Sequence, residues 1–113
     1  MTTKEFEQLA NQAQIYQQQM QNVVTQKAAL TMERNELKKA TEEIENSKEE
    51  SVYKIAGPIL VKADAAKVKK DLEERLEFID LKVKSIEKQE GMIRERLEDL
   101  RTKLMASEKG KGR

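Results

Sequence analysis

Apolar residues recur at alternating steps of three and four through the first part of the chain. With Phe6 at heptad position a, the d positions form an unbroken apolar series: Leu9, Tyr16, Val23, Leu30, Leu37 and Ile44. The a positions hold Phe6, Ala13, Met20, Lys27, Arg34 and Thr41. Such a stripe is typical of a coiled-coil helix, and Thr2-x-x-Glu5 matches a capping box. We therefore predict a first helix over about residues 3–49.

A second heptad stripe occupies the other half of the chain. Its d positions are Leu72, Ile79, Ile86, Ile93 and Leu100, and its a positions are Leu76, Val83, Glu90, Leu97 and Leu104. Asp64 is a suitable N-cap because its carboxylate accepts from free backbone amides. We predict a second helix over about residues 65–106. The last residues, 107–113, contain two glycines and no apolar anchor, so we expect them to fray.

Two helices of similar length joined by a short connector predict an antiparallel pair in which the two apolar stripes pack against each other. Folding about Gly57-Pro58 brings Lys27 and Glu90 to similar heights, with Arg34 one turn away. A polar contact there would fix the register at some cost in stability. Alternatively, Lys27 and Arg34 extend past a thin seam into solvent. Gly91 should cost the second helix about 1 kcal/mol relative to alanine and marks a bend or soft point.

Acidic residues also stand four positions before basic ones on the second helix, which is the favourable order for local ion pairs. The predicted pairs are Asp71–Arg75, Asp80–Lys84, Glu90–Arg94 and Asp99–Lys103.

The segment between the two stripes has a different character. It reads VYKIAGPILVKAD, residues 52–64, and it contains the only proline of the chain. Gly57-Pro58 favours a turn, and valine, isoleucine and tyrosine favour strands. We predict a β-hairpin over about residues 52–63. Its alternation places Ile55 and Leu60 on one face and the following residues on the other: Val52, Ala56, Ile59 and Val61.

Both faces of this hairpin would be largely apolar. An isolated two-stranded hairpin is marginal in water, and its edges present unpaired amides and carbonyls. We therefore expect it to oligomerise, with the subunit interface formed by Val52, Tyr53, Ile55, Ala56, Ile59, Leu60 and Val61. The alternative is a loop folded down onto its own helices, which would explain only some of these apolar residues.

The composition supports an elongated helical protein of one domain, residues 1–113. Charged residues make up 38% and aromatic residues 4% of the chain, which fits a coiled coil better than a compact globule. With 22 basic and 21 acidic residues the net charge is +1, so no overall attraction to nucleic acid or to a membrane is expected.

The absent residue types exclude common chemistry. The chain has no histidine and no cysteine, which removes the commonest general base and the usual zinc ligands. No nucleotide-binding or calcium-binding motif occurs. We expect no catalytic site, no metal and no cofactor. Without cysteine, signal peptide or membrane span, the chain is expected to be soluble and cytoplasmic.

The outer half of the first predicted helix forms a region of low charge. The first 30 residues contain only Lys4, Glu5, Glu7 and Lys27 as charged residues. The apolar residues expected at the free tips of the two helices are Phe6, Leu9, Ala10, Ala13, Ile15, Tyr16 and Met20, with Leu97, Leu100, Leu104 and Met105 from the second helix. A flexible tip rich in methionine and small apolar residues can repack against many partners.

We therefore interpret these tip residues as a binding surface for non-native polypeptides. The alternative is that Phe6, Leu9 and Tyr16 are ordinary core residues of the coiled coil. Ala10 and Ile15 lie off the heptad seam, so they distinguish the two interpretations best.

The hairpin segment and its flanks resemble a known family. VYKIAGPILVKAD, followed by LEERLEFIDLKVKSIEKQEGMIRERLEDL, is similar to the beta-class subunits of prefoldin, a hexameric chaperone. The likeness covers nearly the whole chain. It is most specific at Val52-Tyr53-Lys54, Gly57, Leu60-Val61-Lys62 and the segment SIEKQE. The short closing tail looks more like archaeal members than eukaryotic ones.

The resemblance implies an assembly of two alpha-class and four beta-class subunits whose hairpins merge into a β-barrel platform. It also implies ATP-independent capture of unfolded polypeptides between the arm tips and their transfer to a group II chaperonin.

Two other functions compete with this interpretation. A structural or adaptor coiled coil would use the hairpin only to oligomerise and would bind one defined partner. A nucleic-acid-binding arm could use Lys67, Lys69, Lys70 and the basic tail, but acidic residues are interleaved and aromatic residues for stacking are nearly absent.

Overall fold

The computed structural model describes residues 2–111, with side chains described as far as residue 106. Helix α1 spans Thr3–Ser47, strand β1 Ser51–Ala56, strand β2 Ile59–Asp64 and helix α2 Ala65–Lys111. The predicted fold class is confirmed: two long helices are joined by one antiparallel β-hairpin. The backbone of α2 continues to Lys111, past the expected end near residue 106. Residues 112 and 113 of the expected frayed tail lie outside the described residues.

Both helices begin with the side-chain caps expected from the sequence. The Glu5 amide donates to Thr2 Oγ1 at 3.2 Å, and the Thr2 amide donates to Glu5 Oε2 at 3.4 Å, which completes the capping box. At the start of α2, the Lys67 amide donates to Asp64 Oδ2 at 3.3 Å. These bonds satisfy backbone donors that a helix start leaves without a partner. The two long helices therefore begin where local chemistry dictates.

The hairpin has the register predicted from its turn. Ile55 pairs with Leu60 and Ala56 pairs with Ile59, so Gly57 and Pro58 form a two-residue loop. Gly57 has a φ of 58°, a left-handed conformation that glycine adopts without a steric penalty. Because successive residues of a strand face opposite sides, this register confirms the predicted division of the apolar residues between two faces.

The chain divides into two compact units. The hairpin unit, Ala29–Lys84, contains the β-hairpin and the adjoining parts of both helices. The terminal unit, Met1–Ala28 with Ser85–Arg113, contains the outer parts of both helices.

In the hairpin unit, the two helices run antiparallel and are linked by three ion pairs. Their shortest N···O distances are 2.9 Å for Glu45–Lys69, 2.6 Å for Arg34–Asp80 and 2.9 Å for Glu33–Arg75. The sequence had indicated pairs Asp71–Arg75 and Asp80–Lys84 along α2, and this was wrong. Arg75 and Asp80 bind partners on α1 instead, because each lies beside the helix seam within reach of an opposite charge. Ile79 is fully buried at the centre of this seam.

In the terminal unit, the a and d residues again form the seam. Val23, Ile86, Ile93 and Leu100 are buried, and the other a and d side chains are half-buried. The predicted polar contact is present: Lys27 Nζ lies 3.5 Å from Glu90 Oε1. Arg94 also approaches the same carboxylate oxygen at 3.6 Å, as predicted from its i,i+4 spacing. Helix α2 includes Gly91 without interruption.

Candidate functional site

The β-hairpin presents an apolar surface on each of its faces. We use the term hairpin surface for the predicted interface residues Val52, Tyr53, Ile55, Ala56, Ile59, Leu60 and Val61. Ile55 on one face is 80% exposed, and Ile59 on the other is 60% exposed. Val52 alone in this set is half-buried, at the base of the hairpin. The alternative in which this segment folds down onto its own helices is therefore wrong, because the helices of the hairpin unit leave both faces open.

The strands of the hairpin also have free edges. Within residues 2–111 the sheet has only β1 and β2, so each strand has a neighbour on one side. The other side of each strand carries backbone amides and carbonyls that can pair with a further strand. Exposed apolar faces and open edges together make the hairpin a surface suited to joining a larger sheet.

The predicted tip residues differ in their exposure to solvent within the terminal unit. Leu100 is buried in the seam. Most of the others are half-buried: Phe6, Leu9, Ala10, Ala13, Tyr16, Met20, Leu97 and Leu104. Ile15 and Met105 are exposed, at 57% and 50%. Ile15 is thus open to solvent as its off-seam position indicates, whereas Ala10 is partly covered.

A groove on one flank of the terminal unit brings several of these residues together. It has a volume of about 510 Å³, and its apolar lining consists of Ala13, Leu97, Leu104 and Met105. Its polar lining consists of Gln17, Arg94, Glu98 and Arg101. We call it the arginine-flanked groove. Four predicted tip residues thus share one concave surface, and the arginines beside them are a feature that the sequence interpretation missed.

A second groove in the same unit was not predicted at all. It has a volume of about 330 Å³ with Val23, Met92 and Ile93 as its apolar residues. Four carboxamide side chains and one arginine complete its lining: Gln19, Asn22, Gln26, Gln89 and Arg96. Arg96 lies 5.7 Å from the centre of the Tyr16 ring. Met92 is an apolar residue outside the a and d positions, directly before the buried Ile93. An apolar residue at such a position was the signal in the sequence that could have indicated this groove.

The hairpin unit carries exposed apolar residues that sequence reasoning also missed. Phe78 and Leu81 lie on the outer side of α2 and are 50% and 68% exposed. Arg75 and Lys82 lie 5.2 Å and 5.6 Å from the centre of the Phe78 ring. These distances are typical of cation–π contacts, which cover part of the ring without removing it from water.

Lys69 forms an ion pair with Glu45 across the seam of the hairpin unit. A hydrogen bond from Lys69 to Glu45, helped by the charge of that carboxylate, raises the pKa of Lys69 above its ordinary value of 10.5. No group of three or more acidic side chains close enough to hold a metal ion occurs within the described residues. Neither α1 nor α2, within the described residues, contains an apolar stretch that could span a bilayer. What the arrangement offers is apolar contact surface and open strand edges.

Comparison with known proteins identifies the family. The family model described as "Prefoldin subunit" matches residues 7–110. Prefoldin subunit beta of Thermococcus onnurineus strain NA1 is 38% identical over 100 residues, which cover 88% of this chain and 86% of that protein. The same subunit of Pyrococcus furiosus is 35% identical over 100 residues, which again cover 88% of this chain and 86% of that protein.

A solved structure leads to the same family. The crystal structure of the prefoldin beta subunit from Thermococcus strain KS-1 matches with a TM-score of 0.82 and 33% identity, over 91% of each chain. The likeness therefore covers both long helices and the hairpin between them. The chain belongs to the prefoldin subunit family and, within it, resembles the beta class.

Proposed function

We propose that this chain is a subunit of an ATP-independent chaperone that binds non-native polypeptides through its terminal unit and transfers them to a group II chaperonin. The observation that carries the proposal is the arginine-flanked groove, which gathers predicted tip residues into one exposed, partly apolar surface. Family membership supports the chaperone assignment. We place the protein in the cytoplasm.

The assembly in this proposal is a hexamer of two alpha-class and four beta-class prefoldin subunits. Complete burial of one large apolar side chain contributes a favourable free energy of roughly 1.5–3 kcal/mol. The hairpin surface exposes several such side chains, including Ile55 and Leu60, whose burial between subunits would favour assembly. Strands from other subunits would pair with the free edges of β1 and β2. Hairpins joined in this way form the β-barrel platform, which removes exposed edges by closure.

Client binding in this proposal begins at residues that the seam does not occupy. Ile15 and Met105 are exposed and free to contact a client. Unfolded chains display apolar segments of no fixed sequence, and methionine adapts its shape to many such surfaces. Each contact is weak, but several arms in one assembly raise the effective concentration and convert weak contacts into retention.

The half-buried tip residues form a second tier of the proposed binding surface. Phe6, Leu9 and Tyr16 contribute fully only where the ends of the two helices separate. Leu100 requires the largest opening, because it is buried in the seam. The proposal therefore assigns these residues to a client-bound state in which part of the seam is exchanged for client contacts.

Aggregation assays test the function directly. The chain, combined with an alpha-class subunit, is added without nucleotide to an unrelated protein diluted from denaturant. We expect it to suppress light scattering. The variant Ile15→Ser/Met105→Ser should need several-fold more protein for equal suppression. The control Met32→Ser, which removes a 66% exposed methionine from the hairpin unit, should behave as the wild type.

An adaptor that binds one defined partner gives a different result. It would assemble through the hairpin but leave the scattering of unrelated proteins unchanged, and that outcome would overturn the proposed function. Suppression that is equal in the wild type and the tip variant would exclude Ile15 and Met105 from the proposed client-binding surface.

A further inference from the structure

The residues that flank the seam of the terminal unit differ in charge between the two helices. In an antiparallel pair, the e and g positions of one helix lie beside those of the other and usually hold matching charges. From residue 10 to residue 26, the α1 flank is uncharged: Ala10, Gln12, Gln17, Gln19, Val24 and Gln26. The corresponding α2 flank is mostly cationic: Gln89, Arg94, Arg96, Arg101 and Lys103. The flanking cations of α2 thus have no charged counterpart at the e and g positions of this stretch of α1.

The hairpin unit shows the usual arrangement for comparison. There, α1 contributes Glu33 and Glu45, which pair with Arg75 and Lys69 of α2 at 2.9 Å. Two cations of that unit, Arg75 and Lys69, are thus matched by carboxylates across the seam. The stretch of the α1 flank between residues 10 and 26 of the terminal unit contributes no such carboxylate.

Arg94 and Arg101 of the groove lining can still bind an anionic partner. Arg94 approaches Glu90 at 3.6 Å and is 65% exposed. Arg101 makes no ion pair with any described residue, although it lines the arginine-flanked groove beside Leu97 and Leu104. Glu98 is the one acidic residue of the lining, so the two arginines leave an excess of one positive charge. A guanidinium beside an apolar surface is weakly hydrated and suits a planar carboxylate.

We propose that the arginine-flanked groove prefers client segments in which acidic residues adjoin apolar ones. The apolar side chains would cover Leu97, Leu104 and Met105, while carboxylates bind Arg94 and Arg101 in charge-assisted hydrogen bonds. This inference rests on the proposed function, because it names the class of client that this surface selects. Charge complementarity sets the preference, and segments rich in lysine are disfavoured by the same charges.

Three labelled peptides of equal length test the preference. They share one leucine pattern, and their remaining positions are aspartate, serine or lysine. With the chain in complex with an alpha-class subunit, we expect the aspartate peptide to bind about fivefold more tightly than the serine peptide, the size expected for two exposed ion pairs. The lysine peptide should bind most weakly. Higher salt should reduce the differences, since exposed charges are screened.

Two charge-matched variants locate the effect. Arg94→Gln/Arg101→Gln should bring the aspartate and serine peptides to nearly equal affinity. Lys84→Gln/Lys88→Gln removes the same net charge from exposed α2 positions outside the groove lining, and it should preserve the fivefold difference. Equal loss in both variants would overturn the assignment to the groove and leave only a long-range charge effect.

The remaining outcomes separate this inference from the proposed function. Wild-type protein that suppresses aggregation but binds all three peptides equally would overturn the preference alone. Protein that neither suppresses aggregation nor binds the serine peptide would overturn the proposed function itself. A single-stranded oligonucleotide that competes more strongly than the aspartate peptide would show a nucleic-acid surface and would also overturn the inference.

Discussion

Lys27 Nζ lies 3.5 Å from Glu90 Oε1, and both residues occupy a positions of a seam that is otherwise apolar within the terminal unit. Their side chains differ in exposure, at 34% for Lys27 and 15% for Glu90. A polar pair at such a position specifies the register of the helices more than it adds stability. The pair therefore favours one alignment of the two stripes over alignments shifted by a heptad.

The difference in exposure predicts unequal effects of single substitutions. Lys27→Leu leaves the more buried carboxylate with Arg94 alone, and we expect it to lower the free energy of unfolding by about 1–2 kcal/mol. Glu90→Leu should cost less, because the lysine can extend into solvent. Urea denaturation followed by circular dichroism measures both. The double variant, with two leucines in the seam, should be at least as stable as the wild type; a larger cost for Glu90→Leu would contradict this account.

The two central glycines should respond to alanine in opposite ways. At Gly91 an added Cβ meets no atom within 4 Å, so Gly91→Ala should stabilise α2 by about 1 kcal/mol through helix propensity. At Gly57 the space is equally open, but the φ of 58° disfavours any side chain. Gly57→Ala should therefore cost about 1–2 kcal/mol. Thermal unfolding of the two variants compares the signs, and a gain in melting temperature for Gly57→Ala would refute the turn geometry.

Burial predicts a large contrast between two nearby residues of α2. Ile79 is 0% exposed and Leu81 is 68% exposed. Ile79→Ala should lower the free energy of unfolding by about 2–4 kcal/mol, because it leaves a cavity in the seam. Leu81→Ala should change it by less than about 0.5 kcal/mol in the isolated chain. Denaturant titration of the monomer makes the comparison. Similar costs for both would show that the seam does not lie where the heptad pattern puts it.

The Lys69–Glu45 ion pair predicts a specific titration. The pKa of Lys69 is raised above 10.5 in the folded chain, so protonated Lys69 stabilises the folded state at neutral pH. This contribution to the free energy of unfolding is lost as the pH rises through the raised pKa. Glu45→Gln removes the largest cause of the raised pKa, so the pKa of Lys69 should fall back toward 10.5. NMR titration of the lysine side chain measures it. Glu73→Gln is the control, since Glu73 has the smaller effect.

The parts of the fold that depend on local sequence could be predicted well. The heptad spacing gave the seam residues, and the caps at Thr2 and Asp64 follow from side chains within three residues of the amides they bind. The hairpin register follows from a two-residue turn at Gly57-Pro58. The cap and turn residues lie close in sequence to the groups they meet, and the heptad spacing alone determines which face of each helix enters the seam.

Features that require both helices at once were predicted less well. Arg75 and Asp80 have suitable partners along α2, but they pair with Glu33 and Arg34 across the seam. Spacing on one helix cannot rank these choices, because the distance across the seam depends on its packing. The two grooves of the terminal unit likewise arise from side chains of α1 and α2 together. The client-binding and subunit-interface roles of individual residues remain predictions.

The central claim is that other subunits cover the hairpin surface, and the mass of the assembly tests it most directly. Native mass spectrometry is performed on the chain mixed with an alpha-class subunit, for the wild type and for Ile55→Ser/Leu60→Ser. We expect the wild type to form a six-subunit complex and the variant to remain largely unassembled with unchanged helical circular dichroism. A monomeric wild type in the same mixture, or a hexamer that forms equally well without Ile55 and Leu60, would contradict the account.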